Sequence, residues 1–155
     1  MNKEILIILT AAIPFSELRG SIPLGIFVLK EPVVKVIILS IIGNLIPVVP
    51  ILFLLKPISR KLHKFPLTKR FFERLFERTE KNAKIVEKYQ ALGLMLFVAV
   101  PLPMTGAWTG CLAASLFKIR FRYAFLSIAA GIIIAALVVT MVSLGGKNIV
   151  DKWLF

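Results

Sequence analysis

The sequence has very few of the residues that catalysis, metal binding and disulfide bonding require. One cysteine and one histidine occur among 155 residues, and aspartate and glutamate together number eight. A lone cysteine, Cys111, allows no internal disulfide, and His63 has no nearby Cys, Asp or Glu with which to bind a metal. Because nucleophilic and acid–base catalysis need such groups in pairs, we expect no enzyme activity, no cofactor and no bound metal.

Long polar stretches are also scarce. Hydrophobic residues make up 58% of the chain, the mean hydropathy is +0.88 and the net charge is +12. A soluble domain of this length has nearly balanced apolar and polar residues. Here the apolar residues come in long blocks and most of the charge lies in one stretch. The composition therefore predicts a small integral membrane protein.

Four apolar blocks are present, and two of them are long enough to cross a bilayer, which takes about 20 residues. These two are 33–55 and 121–144. The other two, 3–29 and 91–117, each consist of two half-length apolar runs around a turn-rich centre, PFSELRGS and PLPMTGAWTG. A ten-residue helix reaches about 15 Å, half of the roughly 30 Å hydrocarbon core. The blocks 3–29 and 91–117 are therefore each predicted to be a re-entrant helical hairpin, which is allowed where protein or water surrounds it.

The distribution of basic residues favours two hairpins over four full spans. Eleven Lys or Arg residues lie between Lys56 and Lys88, and three more lie in the connection 118–122. Four spans would put these two segments on opposite sides of the membrane, whereas two hairpins put them on the same, cytoplasmic side. We therefore predict a multi-pass protein of the cell membrane with a cytoplasmic linker and both termini outside. Four full spans, and a signal peptide in the first sixteen residues, stay open as alternatives.

The two halves of the chain follow the same order, which indicates an inverted repeat. TAAIP and VAVP end their half-helices at Pro14 and Pro101, and a turn, a short apolar run, a charged connector and a span follow each. The 87-residue offset between the prolines sets Asn44 opposite Gly131. Transporters often place the substrate site where such broken helices meet. The predicted fold is all-α and integral to the membrane: an inverted repeat of re-entrant hairpin plus transmembrane helix, in one domain, 1–155.

The basic linker, 57–90, joins the two halves. Within 67–90, apolar residues recur at helical spacing and basic residues take another face. This pattern is typical of an amphipathic helix at the cytoplasmic surface, with its basic side toward anionic headgroups. A connector without a specific partner is the simpler interpretation, and nucleic-acid binding is not expected of a segment tied between membrane elements. The basic face consists of Arg70, Arg74, Arg78 and Lys81.

The two hairpin centres, SELRGSIPLGI and VPLPMTGAWTG, resemble the signature segments of the putative small multidrug export protein family. That family distantly resembles the DedA-type (VTT-domain) membrane proteins. The wider resemblance implies two re-entrant hairpins and movement of lipids between leaflets, including polyprenyl-phosphate carriers, with some members coupled to a proton or sodium gradient. The matching residues are Glu17, Arg19, Gly20 and Pro23 in the first segment and Pro101, Pro103, Thr105, Gly106, Trp108, Thr109 and Gly110 in the second.

The chain departs from both patterns in the second hairpin. Met104 stands where the small family has a glycine. DedA-type proteins carry arginines around the proline there, and this chain has only apolar and small residues. A lipid phosphate would therefore have to be bound by Arg19, from the first hairpin.

Glu17 and Arg19 are predicted to meet the second hairpin near the membrane midplane. A charge there costs between about 2.5 and more than 10 kcal/mol, so it is retained in protein or in a wet cavity. Helices that begin near Gly20 and Gly106 would point free N–H groups at the same region. We expect Arg19 to bind a phosphate or carboxylate and Glu17 to accept a proton or cation. The alternatives are a purely structural Glu17–Arg19 pair, a membrane organiser that acts through its basic helix without transport, and a small multidrug exporter, as the family name suggests.

The remaining candidates complete this site. Trp108 is a packing or gating aromatic, and a bundle this small is expected to form a homodimer in contact with membrane lipids. The candidate substrate- or ion-binding residues are Glu17, Arg19, Asn44, Thr105 and Thr109, and the hairpin tips comprise Pro14, Gly20, Pro23, Pro101, Pro103, Gly106, Trp108 and Gly110.

Overall fold

All the regular structure in the described part of the chain is helical, as predicted. The structure, a computed structural model, describes residues 2–54, 83–101 and 105–154, with side chains for 2–54, 89–101 and 105–146. Pro103 and the predicted basic face (Arg70, Arg74, Arg78, Lys81) lie outside the described residues. The helices are α1 (Lys3–Ala12), α2 (Glu17–Pro23) with a π-helical turn after it (Leu24–Val28), α3 (Val33–Leu45), α4 (Ala83–Ala99), α5 (Ala107–Leu116) and α6 (Phe121–Leu154).

Two helical segments are long and apolar enough to cross a membrane. They are Val33–Leu54, of 22 residues, and Phe121–Gly146, of 26 residues. At 1.5 Å per residue these reach about 33 and about 39 Å, more than the roughly 30 Å of a hydrocarbon core. The first segment comprises α3 and its continuation past Pro47, where the Ile51 N–H donates to the Pro47 carbonyl at 3.1 Å. Both segments coincide with the predicted spans, and α6 continues beyond the predicted end of the second.

A proline ends α1 and starts the turn into α2. A proline disfavours the helical conformation in the residue before it, and Ile13, before Pro14, is extended with φ −75° and ψ 134°. The N–H groups of Ser16 and Glu17 both donate to the Ile13 carbonyl, at 3.3 and 3.0 Å. Glu17 has a φ of 43°, a left-handed conformation that costs a non-glycine residue roughly 1–2 kcal/mol. α1 and α2 therefore pack as a helical hairpin whose turn holds Glu17 in a strained conformation.

Another proline explains the π-helical turn. Pro23 lies inside the helix and has no N–H to donate, so the regular hydrogen-bond ladder is interrupted there. The Leu24 N–H is shared between the carbonyls of Gly20 and Ser21, and the Leu29 N–H donates five residues back, to the Leu24 carbonyl, at 3.0 Å. The wider turn that results is the usual form of a π-bulge.

Matching positions in the two halves lie 88 residues apart. Lys30 and Lys118 follow the second helix of each half and both have a positive φ, 55° and 54°. The long helices α3 and α6 also begin 88 residues apart. Gly43 of α3 packs against α1, and Gly131 of α6 packs against α4. This offset, one residue larger than that between the prolines, sets Gly43 rather than Asn44 opposite Gly131.

The core lies where α1, α2, α3 and α6 meet. Ile7, Ile22, Val36, Ile128 and Ile132 are fully buried there. Many large apolar side chains on the outer faces of the helices are exposed in the isolated chain, as is expected where lipid forms the surroundings.

Charged residues join the ends of α1 and α3. Lys35 lies 2.7 Å from Glu4 and 3.1 Å from Glu31, and Lys3 donates to the Leu29 carbonyl at 2.9 Å. The hydrogen bond from Lys35 lowers the pKa of Glu31 below its ordinary value. Because these groups are partly or fully exposed, the cluster fixes the geometry of this end more than it stabilises the fold.

Candidate functional site

Glu17 joins the first hairpin to the start of α5. Its side chain is 8% exposed, and its carboxylate accepts backbone hydrogen bonds from Trp108 and Ala107. A Cβ on Gly106 would lie 2.1 Å from the Glu17 Oε2, so only glycine allows this approach. The first N–H groups of a helix have no intrahelical partner and carry a partial positive charge. The buried carboxylate therefore serves as the anion at the N-terminus of α5.

Arg19 reaches the same turn from the other side. Its Nη2 donates to the Thr105 carbonyl and lies 3.3 Å from the Thr105 Oγ1. The Thr105 hydroxyl in turn donates to the Val100 carbonyl at 2.6 Å, close to the end of α4. Glu17 and Arg19 form no salt bridge with each other. Each charge is paired instead with backbone groups of the opposite half: Glu17 with N–H groups at the start of α5, and Arg19 with the carbonyl of Thr105.

Trp108 makes the reciprocal contact. Its indole N–H donates to the carbonyl of Ala12, the last residue of α1, at 3.2 Å. Polar groups left free where α1 ends and α5 begins are thus satisfied from the opposite half of the chain. Interrupted helices are tolerated at membrane depth only when their free backbone groups are satisfied in this way.

A small pocket lies between these contacts. Glu17, Arg19, Asn44 and Gly106 line it together with apolar side chains of α4 and α6. Its free space accommodates about one water molecule. Asn44 is 2% exposed, and its Oδ1 is the one buried side-chain oxygen or nitrogen in the described residues that has no hydrogen-bond partner.

The other predicted residues are placed around this pocket or away from it. The Thr109 hydroxyl lies 3.3 Å from the carbonyl of Gly106, within the first turn of its own helix. α2 begins at Glu17, so Gly20 lies one turn inside it rather than near its start as predicted. α5 does begin beside Gly106, as predicted. Of the other tip residues, Pro14 lies in the exposed turn, Pro23 within α2, Pro101 at the pocket wall and Gly110 against Val98.

Two buried serines were missing from the predicted site. The Ser21 hydroxyl donates to the Ser40 hydroxyl at 2.9 Å and joins α2 to α3. A signal for them exists, because Val36, Ser40 and Asn44 are four residues apart and hence share one helix face. Polar residues at that spacing within an apolar helix indicate a buried face with hydrogen-bonding partners.

Comparison with known proteins identifies the family. No curated protein and no solved structure matches the chain. A family model matches residues 17–138, a range that begins at Glu17 and includes both sides of the pocket. The chain therefore belongs to the putative small multi-drug export protein family.

Proposed function

We propose that this protein is a small membrane transporter that moves an amphipathic anionic substrate, such as a lipid, between leaflets, with Arg19 as the anion-binding group. The family description names export, and the apolar helices point to a membrane protein. The observation that carries the proposal is a buried carboxylate and a part-buried guanidinium held where the turn between α1 and α2 meets the start of α5. Charges are retained inside a membrane protein chiefly where they act on a substrate or an ion.

We further propose that α1–α2 and α4–α5 are re-entrant hairpins in an inverted repeat. α1 and α5 each have ten residues, which reach about 15 Å and hence the middle of a bilayer. The 88-residue correspondence of the two halves supports a repeat. A shared site at the midplane is the arrangement that inverted-repeat transporters use.

Topology mapping tests this arrangement. In a Cys111→Ser background, single cysteines at 30–32 and in the C-terminal tail should react with a membrane-impermeant maleimide from outside. Single cysteines at 60–64 and 118–122 should react only after the cytoplasmic side is opened. Labelling of 118–122 from outside would show four full spans and would refute the repeat.

The pocket is too small for a substrate as it stands, since it accommodates about one water molecule. Transport therefore requires the contacts between the two halves to open. In our proposal Arg19 exchanges its bonds to Thr105 for the anionic group of the substrate. The hydroxyls of Thr105 and Thr109 then face the same opening and donate to that group.

A flip assay in liposomes tests the function. Purified protein in liposomes should accelerate bleaching of a fluorescent anionic lipid by dithionite, and Arg19→Gln should reduce that rate by tenfold or more. A hydrogen bond to a charged group is worth about 1.5–3 kcal/mol, which corresponds to roughly 10- to 100-fold. Arg122→Gln, at an exposed arginine in the first turn of α6, is the matched control and should leave the rate unchanged.

Two results would contradict this proposal. Wild-type protein that bleaches no faster than empty liposomes would exclude flipping of the lipid tested. Unchanged flipping in Arg19→Gln, with loss of function only on neutralising the linker arginines, would favour a membrane organiser that acts through its basic segment.

A homodimer is part of the proposal. Phe15, in the turn between α1 and α2, is 97% exposed. If that turn lies at the midplane, its irregular backbone cannot face lipid and has to be covered by protein. A second copy of the chain supplies that cover, and a monomeric mass by light scattering in mild detergent would refute it.

A further inference from the structure

The two protonation states of Glu17 need different partners. An ionised carboxylate only accepts hydrogen bonds, whereas a protonated carboxyl also has one O–H to donate. In the structure the carboxylate faces two donors, the backbone N–H groups of Ala107 and Trp108. Those N–H groups cannot accept the proton of a neutral Glu17. A protonated Glu17 therefore requires an acceptor elsewhere in the pocket.

Asn44 supplies an acceptor in the same pocket. It lies on the long helix α3 and lines the pocket together with the N-terminus of α5. Only 2% of Asn44 is exposed. Its Oδ1 has no partner, which costs free energy unless a donor comes to it at some stage. The pocket that Glu17 and Asn44 share accommodates about one water molecule. A hydrogen bond from protonated Glu17 to Asn44 can therefore form directly or through that water.

We propose that Asn44 is the hydrogen-bond acceptor for protonated Glu17. The Glu17 side chain then alternates between the N-terminus of α5, when it is ionised, and Asn44, when it is protonated. A hydronium ion gives its proton to a carboxylate oxygen: one O–H bond of the hydronium breaks, the carboxyl O–H bond forms, and a water molecule is released. This rests on the proposed function, because it assigns the proton the role of opening the site. When Glu17 leaves α5, the contact that holds the two halves together is lost.

Among the side chains that line the pocket, Asn44 is the one that offers Glu17 a free acceptor. On its own helix the charged neighbour is Arg19, which only donates. On α5 the titratable neighbour is Cys111, whose thiol already lies 3.9 Å from the Val48 carbonyl. The faces of α4 and α6 at the pocket are apolar and include Val98 and Ile132.

Infrared difference spectroscopy on the protein in liposomes tests the pairing. Lowering the pH should produce a protonated carboxyl C=O band that is absent in Glu17→Gln. In Asn44→Val this band should shift to higher frequency, because a carboxyl without an acceptor for its O–H has a stronger C=O bond. A threonine side chain has nearly the shape of valine but retains an oxygen that can accept a hydrogen bond. The band of Asn44→Thr should therefore stay near the wild-type frequency.

A control and a second readout make the test decisive. Ser40→Ala removes a buried polar group one helical turn away on α3 and should not move the band. The pairing is refuted if the band of Asn44→Val equals that of wild type, or if no Glu17-dependent band appears at any pH at which the protein stays folded. Flipping measured on the wild-type protein and Arg19→Gln decides the proposed function separately, since neither result depends on the frequency of this band.

Discussion

Gly43→Val should lower the free energy of unfolding by about 2–4 kcal/mol, because it forces α1 away from α3. A Cβ at Gly43 would lie 2.5 Å from the carbonyl oxygen of Ile8 and 2.9 Å from the Cβ of Ala11. Neither atom can move unless the backbone of α1 moves with it. Small residues at such crossings allow helices in membranes to pack closely, and the added side chain removes that contact.

Unfolding of the purified protein in mixed micelles of mild detergent and SDS measures this loss. Gly145→Val is the matched control, because Gly145 is also in a long apolar helix but its Cβ would meet nothing within 4 Å. Valine has a slightly better helix propensity than glycine, so the control should be neutral or slightly stabilising. Equal losses in Gly43→Val and Gly145→Val would show that close packing of α1 on α3 is not the cause.

The equivalent glycine of the second half extends the prediction. A Cβ at Gly131 would lie 2.7 Å from the Met95 carbonyl oxygen, so Gly131→Val should separate α6 from α4 with a loss of similar size. A large loss at both glycines is the expected behaviour of a repeated unit in which each long helix packs on the first helix of its own hairpin. A large loss at one alone would indicate that the halves pack differently.

Features set by local chemistry could be predicted from the sequence. The two long apolar segments follow from hydropathy and length, and the end of α1 follows from the steric effect of Pro14 on Ile13. The start of α5 after Gly106 follows in the same way, since glycine suits a helix boundary next to a close approach. These features depend on a few neighbouring residues, which the sequence displays directly.

Features set by contacts between distant segments could not be predicted. α2 begins at Glu17 instead of near Gly20, and there Glu17 combines a positive φ with hydrogen bonds from α5, about 90 residues away. The sequence indicated that Glu17 and Arg19 lie together, but it could not show that each binds the opposite half instead of the other. Nor could it show that Asn44 has an unsatisfied oxygen.

Glu17→Leu should also lower the free energy of unfolding by about 2–4 kcal/mol, because three polar groups at the pocket lose their common partner. The N–H groups of Ala107 and Trp108 lose their acceptor, and Arg19 loses the nearby negative charge that offsets its own. Glu17→Gln retains an oxygen acceptor of the same reach and should lose about 1 kcal/mol, the value of a typical neutral hydrogen bond. The same SDS titration measures both variants.

A double-mutant cycle with Gly106→Ala shows whether this loss comes from the contact with α5. The Cβ of alanine would occupy the position of the Glu17 carboxylate, which then has to leave the N-terminus of α5. Gly106→Ala and Glu17→Leu therefore remove the same hydrogen bonds, and the double variant should be more stable than the sum of the two losses predicts, by about 1–3 kcal/mol. Gly93→Ala, at a glycine whose Cβ would meet nothing within 4 Å, should show no coupling to Glu17→Leu. Additive losses in the Gly106→Ala cycle would mean that Glu17 stabilises the protein without holding α5. The alternation between α5 and Asn44 would then lose its starting state.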